Sequence, residues 1–149
     1  MDSEHLQEQV SNYEHFVKKV LQPKLSVAES EANTVRAEIT NYGELATSMK
    51  DRIASGETGE SIESMVDLGH RTVFCNAVVN NPKKIFVKVG LGFHVELTPE
   101  EASKFAMKRI SFLNTYKLEE KESEIKDIKG HIQSASIILD QLHAEMERS

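Results

Sequence analysis

Ile85-Phe86-Val87-Lys88-Val89-Gly90-Leu91-Gly92-Phe93-His94-Val95-Glu96-Leu97-Thr98-Pro99-Glu100-Glu101 decides the fold. Alternating apolar residues, a glycine-flanked turn and a second alternating run specify a β-hairpin. Ile85, Val87 and Val89 share one face, as do Phe93, Val95 and Leu97 on the returning strand, whereas Lys84, Lys88, His94 and Glu96 point the other way. That is a sheet with one buried face. The hairpin runs straight into a helix. Thr98 is placed as N-cap, Pro99 at the first helical position and Glu101 at the third, which is the capping-box pattern. Glu100 and Glu101 suit the positive end of the helix dipole.

Upstream, a first hairpin is expected, giving four strands at about 62–68, 71–79, 84–90 and 92–97 in all. Gly69-His70 turns the first pair and Asn80-Asn81-Pro82 links the hairpins. Val73, Cys75, Ala77 and Val79 occupy one face of the second strand, with Phe74 and Val78 on the other. A strand apolar on both faces expects cover on both. Cys75, mid-strand and without a basic neighbour, reads as a small buried side chain.

Long helices flank this region. Leu21, Leu25, Ala28, Ala32, Val35, Ile39, Tyr42, Ala46, Met49 and Ile53 alternate in steps of four and three, a heptad seam. An earlier stripe holds Leu6, Val10, Tyr13, Val17 and Val20. The phase slips between the two stripes near Pro23, where a kink or short break is expected. The second arm opens with Ala102, Phe105, Ala106, Ile110 and Leu113, then continues as Leu118, Lys121, Ile125, Ile128, Ile132, Ala135, Leu139, Leu142 and Met146. Each arm has about 50 residues, roughly 75 Å of helix. The expected fold is α+β, mostly α: an antiparallel two-helix coiled coil with two β-hairpins inserted, one domain over 1–149. Its helices span about 5–56 and 98–147, with the hairpins at 62–97. The first helix fades in the glycine-containing stretch 54–60.

Pairing the arms antiparallel sets Val35 against Leu118, Ala28 against Ile125, Leu25 against Ile128, Leu21 against Ile132, Val17 against Ala135 and Leu6 against Met146. The same register puts Pro23 level with Gly130, two helix-weakening residues that suggest a flexible joint. Toward the chain ends the helices carry more apolar side chains than one seam uses. Phe16 and Val20 flank Tyr13 and Val17, and Ile137 and Ile138 flank Leu139. They either widen the seam or form an exposed binding patch.

Composition narrows the function classes. The net charge is −6, and no stripe of Lys and Arg is present, which disfavours nucleic acid. No apolar run approaches a membrane span, and the N-terminus does not read as a signal peptide. Cys75 is the single cysteine, so no disulfide can form within the chain. A cytoplasmic protein is expected, with a nuclear share left open. The six histidines show no metal-ligand spacing. No Walker motif or nucleophile elbow occurs, and a two-helix coiled coil offers no concave site of ligand size. An enzyme is not expected.

Three strings resemble the α-class of prefoldin subunits: Tyr13-Glu14-His15-Phe16-Val17 leading into Val20-Leu21-Gln22, Val66-Asp67-Leu68-Gly69, and the hairpin that runs into the capped helix. The similarity covers most of the chain and is strongest over 66–105. It points to a prefoldin-like branch of the class rather than the ordinary α subunit. Pro23 and the glycines around Gly56 depart from the pattern. The resemblance implies an ATP-independent chaperone or co-chaperone subunit without a cofactor. Its partners would be other prefoldin or prefoldin-like subunits in a hetero-oligomer, a hexamer, and unfolded or partly assembled client proteins. The hairpins would assemble it through Val73, Phe74, Cys75, Val78, Ile85, Val87, Val89, Phe93 and Val95. The coiled-coil tips would bind clients through Phe16, Val20, Ile137, Ile138, Leu142 and Met146. A coiled-coil adaptor or transcriptional cofactor binding one defined protein is the alternative.

Overall fold

Heptad periodicity and strand alternation are realised in the expected order. The computed structural model describes residues 3–55, 62–79 and 83–148. Helix α1 (Ser3–Phe16) passes through a π-helical stretch, Val17–Leu21, into α2 (Gln22–Ala54). Strands β1 (Ile62–Gly69), β2 (Val73–Val79), β3 (Ile85–Gly90) and β4 (Phe93–Leu97) follow. Helix α3 (Pro99–Phe112), a second π-helical stretch, Leu113–Leu118, and α4 (Glu119–Arg148) complete the order. The expected loop at 56–60 and the link Asn80-Asn81-Pro82 lie outside the described residues. The chain divides into two units: Met1–Glu38 with Phe112–Ser149, and Ile39–Ser111.

The first unit is a helix pair. Leu6, Val10, Leu21, Ala28 and Ala32 are buried on one arm, and Leu113, Ile128 and Ala135 on the other. Leu25, Val35, Leu118, Ile125, Ile132, Leu139, Leu142 and Met146 are half-buried along the same seams. Ion pairs join Lys129 to Glu29 at 3.6 Å and Arg36 to Glu122 at 3.3 Å. Residue numbers rise on one arm as they fall on the other, which makes the pair antiparallel.

Tyr13 and Val20, expected in the early stripe, are exposed, whereas Leu21, expected to open the long seam, is buried. The π-helical stretch accounts for the change at Val20 and Leu21. The Gln22 N–H donates to the Val17 carbonyl, five residues back rather than four. One extra residue in a turn rotates the following helix and resets the seam. Pro23 sits just beyond, where it has no N–H to offer a preceding carbonyl. The expected break at Pro23 is thus a widened turn on its N-terminal side. Gly130 lies inside the unbroken helix α4, so the interruption at that level affects one arm only. The second π-helical stretch was not expected from the sequence. Its signal is the five-residue step from Leu113 to Leu118 in a pattern otherwise stepping three and four.

Lys121 occupies a seam position, where the register sets it near the fully buried Ala32. The small alanine leaves room for the lysine stem, and the ammonium reaches out to Glu31 and, at 3.5 Å, to Glu124. The hydrogen bond to Glu31 raises the Lys121 pKa above its ordinary value, with burial opposing and the charges of Glu31 and Glu124 adding to the rise. A polar residue at one seam position fixes register.

The second unit gathers on Met49, Val87 and Ala102, with Leu45, Ile85, Val89, Leu97 and Phe105 packed around them. Tyr42 meets Phe105 edge to face, with ring centroids 5.9 Å apart. Helix α3 starts as its sequence dictates: the Glu101 N–H donates to Thr98 Oγ1 at 3.3 Å, and the Ala102 N–H donates to the Thr98 carbonyl at 2.9 Å. The hairpins form separate two-stranded antiparallel sheets. In the first, Val66 pairs with Cys75 and Asp67 with Phe74. Its turn places His70 and Arg71 at positive φ (45° and 57°), as a type I′ turn requires. Asp67 supports that turn by accepting from the backbone N–H groups of Gly69 and Arg71. In the second, Ile85 pairs with Leu97 and Val87 with Val95, and Gly90-Leu91-Gly92 makes the turn.

Two outcomes test these assignments. A Cβ built on Gly130 meets no atom within 4 Å. Gly130→Ala is therefore expected to stabilise the helix pair by about 1 kcal/mol, read from chemical denaturation. A lysine whose folded pKa is raised stabilises the fold fully below its unfolded pKa and ceases to do so as pH rises through the folded value. The stability of the wild type relative to Lys121→Met should be flat from pH 7 to 9 and fall once the pH passes about 10.4. A difference that stays constant into strong alkali would remove the pair from the account.

Candidate functional site

Alternation in a strand creates two faces, and only packing decides which is covered. In the second hairpin Val87 is just 6% exposed and sits in its own chain's core, with Ile85 and Val89 against it. These three, expected at the assembly surface, instead hold the hairpin to its own helices. Val95, on the same face as its partner Val87, and Phe93 remain exposed. The opposite face adds Phe86, 72% exposed beside Lys88, His94 and Glu96. Phe86 was missed because it sits among charged neighbours on the face that alternation marks as solvated.

Leu91, also missed, stands at the hairpin tip. It is 98% exposed and held at φ 51°. An L-residue with a branched side chain pays roughly 1–2 kcal/mol for left-handed backbone, and a bare leucine gains nothing from water. Neither property helps an isolated subunit.

The first hairpin is open on both faces. Val66, Leu68, Val73, Phe74 and Val78 are exposed, as is Met65. Cys75, expected to be buried, is exposed too, on the face it shares with Val66. Sequence reasoning found the doubly apolar strand but not that nothing in the described residues of its own chain covers it. A two-stranded sheet with this much bare apolar surface is marginal in water and calls for cover.

On the helix pair, Phe16, Val20 and Ile137 are exposed, while Ile138, Leu142 and Met146 are half-buried along the seam. The six expected client-binding residues thus split: three face water and three face mainly the partner helix. Val27, Phe112 and Tyr116 are exposed as well, the last two stacked at 5.3 Å between ring centroids.

Among the described residues no three His, Cys, Asp or Glu side chains cluster as a metal site. No described helix is long and apolar enough to cross a membrane. A shallow open hollow does exist, contrary to expectation, along α2 at Thr40, Gly43, Glu44, Thr47 and Ser48. All five lie on one helix face and pair no nucleophile with a base, so the hollow offers no catalytic geometry.

The family model described as prefoldin subunit matches residues 21–145. A Protein UXT homolog from Nematostella vectensis is 32% identical over 127 residues, covering 85% of this chain and 79% of that protein. A prefoldin subunit alpha from Methanosarcina mazei is 28% identical over 100 residues, covering 67% of this chain and 66% of the relative. A filamentous PFD from Methanocaldococcus jannaschii, solved by cryo-EM, aligns over 83% of this chain and 98% of its own, with 21% identity and a TM-score of 0.34.

Leu91→Asn keeps a residue that tolerates positive φ while removing the bare side chain. The isolated subunit should gain about 1 kcal/mol in thermal unfolding. Its association with partner subunits should weaken, read by sedimentation of co-expressed chains. Unchanged association would show that the strained leucine is not a contact.

Proposed function

The chain belongs to the prefoldin family, and on that premise we propose that it is one subunit of a hetero-oligomeric, ATP-independent holdase. Proteins of this family are non-enzymatic subunits, and this chain is not an enzyme. Its hairpins would join partner subunits, and its helix pair would hold non-native or partly assembled proteins. The observation that carries this reading is the first hairpin, apolar on both faces and bare on both. Such surface is stable in water only when another subunit covers it. The assembly contacts are then Val73, Phe74, Cys75 and Val78 on the first hairpin and Phe93, Val95, Phe86 and Leu91 on the second. Exposed Phe16, Val20 and Ile137 supply the holding surface, since weak, non-directional apolar contact suits many sequences. The similarity to a UXT homolog supports membership of a prefoldin-like complex rather than ordinary prefoldin.

An exposed thiol on an assembly face reports assembly. Cys75 should react readily with a thiol reagent in the isolated subunit and at least tenfold more slowly in the complex. Equal reactivity in both would take the first hairpin out of the interface. The triple change Phe16→Ser, Val20→Ser and Ile137→Ser alters exposed side chains only. It should leave the complex intact by sedimentation and reduce its suppression of client aggregation several-fold. Loss of assembly with full suppression would reverse the two assignments.

A further inference from the structure

Four stretches of more than ten residues carry no Asp or Glu (15–28, 68–95, 102–118 and 128–139), and two of them, the first and the last, lie wholly on the helix pair. None occurs from His15 to Ala28, between Glu14 and Glu29, and none from Ile128 to Leu139, between Asp127 and Asp140. In the antiparallel register these two stretches face each other, Leu21 opposite Ile132. Within the first lie Lys18, Lys19 and Lys24, all exposed and with no ion pair among the described residues. A chain of net charge −6 thus carries a local basic belt.

The belt has an apolar stripe. Phe16, Val20, Lys24 and Val27 step four, four and three, which keeps them on one side of the helix. Each stands one residue before a seam position (Val17, Leu21, Leu25 and Ala28), and all four are exposed, Val27 at 58%. In an antiparallel pair the residue before a seam position falls on the same side of both helices, because the two-fold axis relating them is perpendicular to their length. The second arm accordingly contributes His131 and Ser134, exposed, and Ile138, half-buried. The resulting face is apolar and basic, bounded at its Val27 end by the exposed Asp127, and about 16 Å long from Phe16 to Val27 at 1.5 Å per residue.

We propose that this face docks an acidic amphipathic segment of a partner or client protein, about three helical turns long, with apolar side chains at helical spacing and Asp or Glu between them. The proposal rests on the holdase reading and narrows what that surface prefers. The apolar anchors Phe16, Val20 and Val27, spaced four and seven, keep the helical periodicity by which a docked helix is read. Lys24 amid the stripe and Lys19 beside Val20 meet carboxylates on the segment and repel a basic one. The acid-rich stretches bounding the belt, Glu29 and Glu31 on one arm and Asp127 and Glu124 on the other, would repel an acidic segment displaced along the helices.

The test uses the full chain in its assembled complex and two labelled fourteen-residue amphipathic peptides. They share one leucine pattern, with glutamates between in one and lysines in the other. Fluorescence anisotropy should show the acidic peptide binding at least tenfold tighter at low salt, with the gap closing as ionic strength rises. Lys24→Glu and Val27→Ser should each weaken it at least fivefold, and Lys50→Glu, the same charge change on an exposed residue outside the belt, should leave it unchanged. Equal binding of the two peptides, or indifference to Lys24→Glu and Val27→Ser, overturns the proposal. So does tighter binding of anionic phospholipid vesicles or an oligouridylate, or self-association of the complex that Lys24→Glu abolishes. A complex that suppresses client aggregation while showing no acidic preference sinks this proposal and leaves the holdase reading standing. A wild-type complex that suppresses no aggregation sinks that reading, whatever the peptides do.

Discussion

Two helices can share an apolar seam only while their side chains keep returning to the same side. An undistorted α-helix has 3.6 residues per turn and a heptad seam 3.5, so the stripe drifts and must be reset by supercoiling or by inserted residues. This chain inserts them. Each arm contains one π-helical stretch, Val17–Leu21 and Leu113–Leu118, and in each the seam resumes in register beyond it. Everything else on the helix pair depends on that phase. It buries Leu21 and leaves Val20 outside, and so it decides which apolar residues are core and which are surface.

Close approach is the second consequence. Ala28, Ala32 and Ala135 in one unit, and Ala46, Ala102 and Ala106 in the other, are buried almost completely. Small seam residues let backbones approach but bury little apolar area each. Register therefore falls to polar devices, chiefly Lys121 near Ala32 with its ammonium drawn out to Glu31. In the second unit a comparable economy holds. One face of the second hairpin is spent on Met49 and Ala102, which anchors it but leaves Phe86, Phe93 and the whole first hairpin uncovered. A chain built this way forms its elements while leaving much apolar strand surface bare.

The candidate site was partly legible. The doubly apolar strand Val73–Val79 and the surplus at Phe16, Val20 and Ile137 stand out because apolar residues exceed what one face or one seam can hide. Ile85, Val87 and Val89 show the limit of that logic. Alternation marks them as belonging to a buried face without saying whether the cover is the chain's own helix or another subunit. Leu91 and Phe86 were hidden by their surroundings, a glycine turn and a charged strand face, since apolar residues at such places carry no periodic signal.

The sequence by itself determined the order of elements, the cap at Thr98, the turn at Gly90-Leu91-Gly92 and the seams, and it placed the first turn one residue early, at Gly69-His70 rather than His70-Arg71. Each follows from local rules: the spacing of apolar side chains, the left-handed freedom of glycine, the oxygen of a capping threonine. Tertiary structure alone decided how the phase slip at Pro23 is absorbed, which face of each hairpin is covered, and which surplus residues meet water. Those outcomes depend on atoms brought together from distant parts of the chain, whose packing no local period encodes.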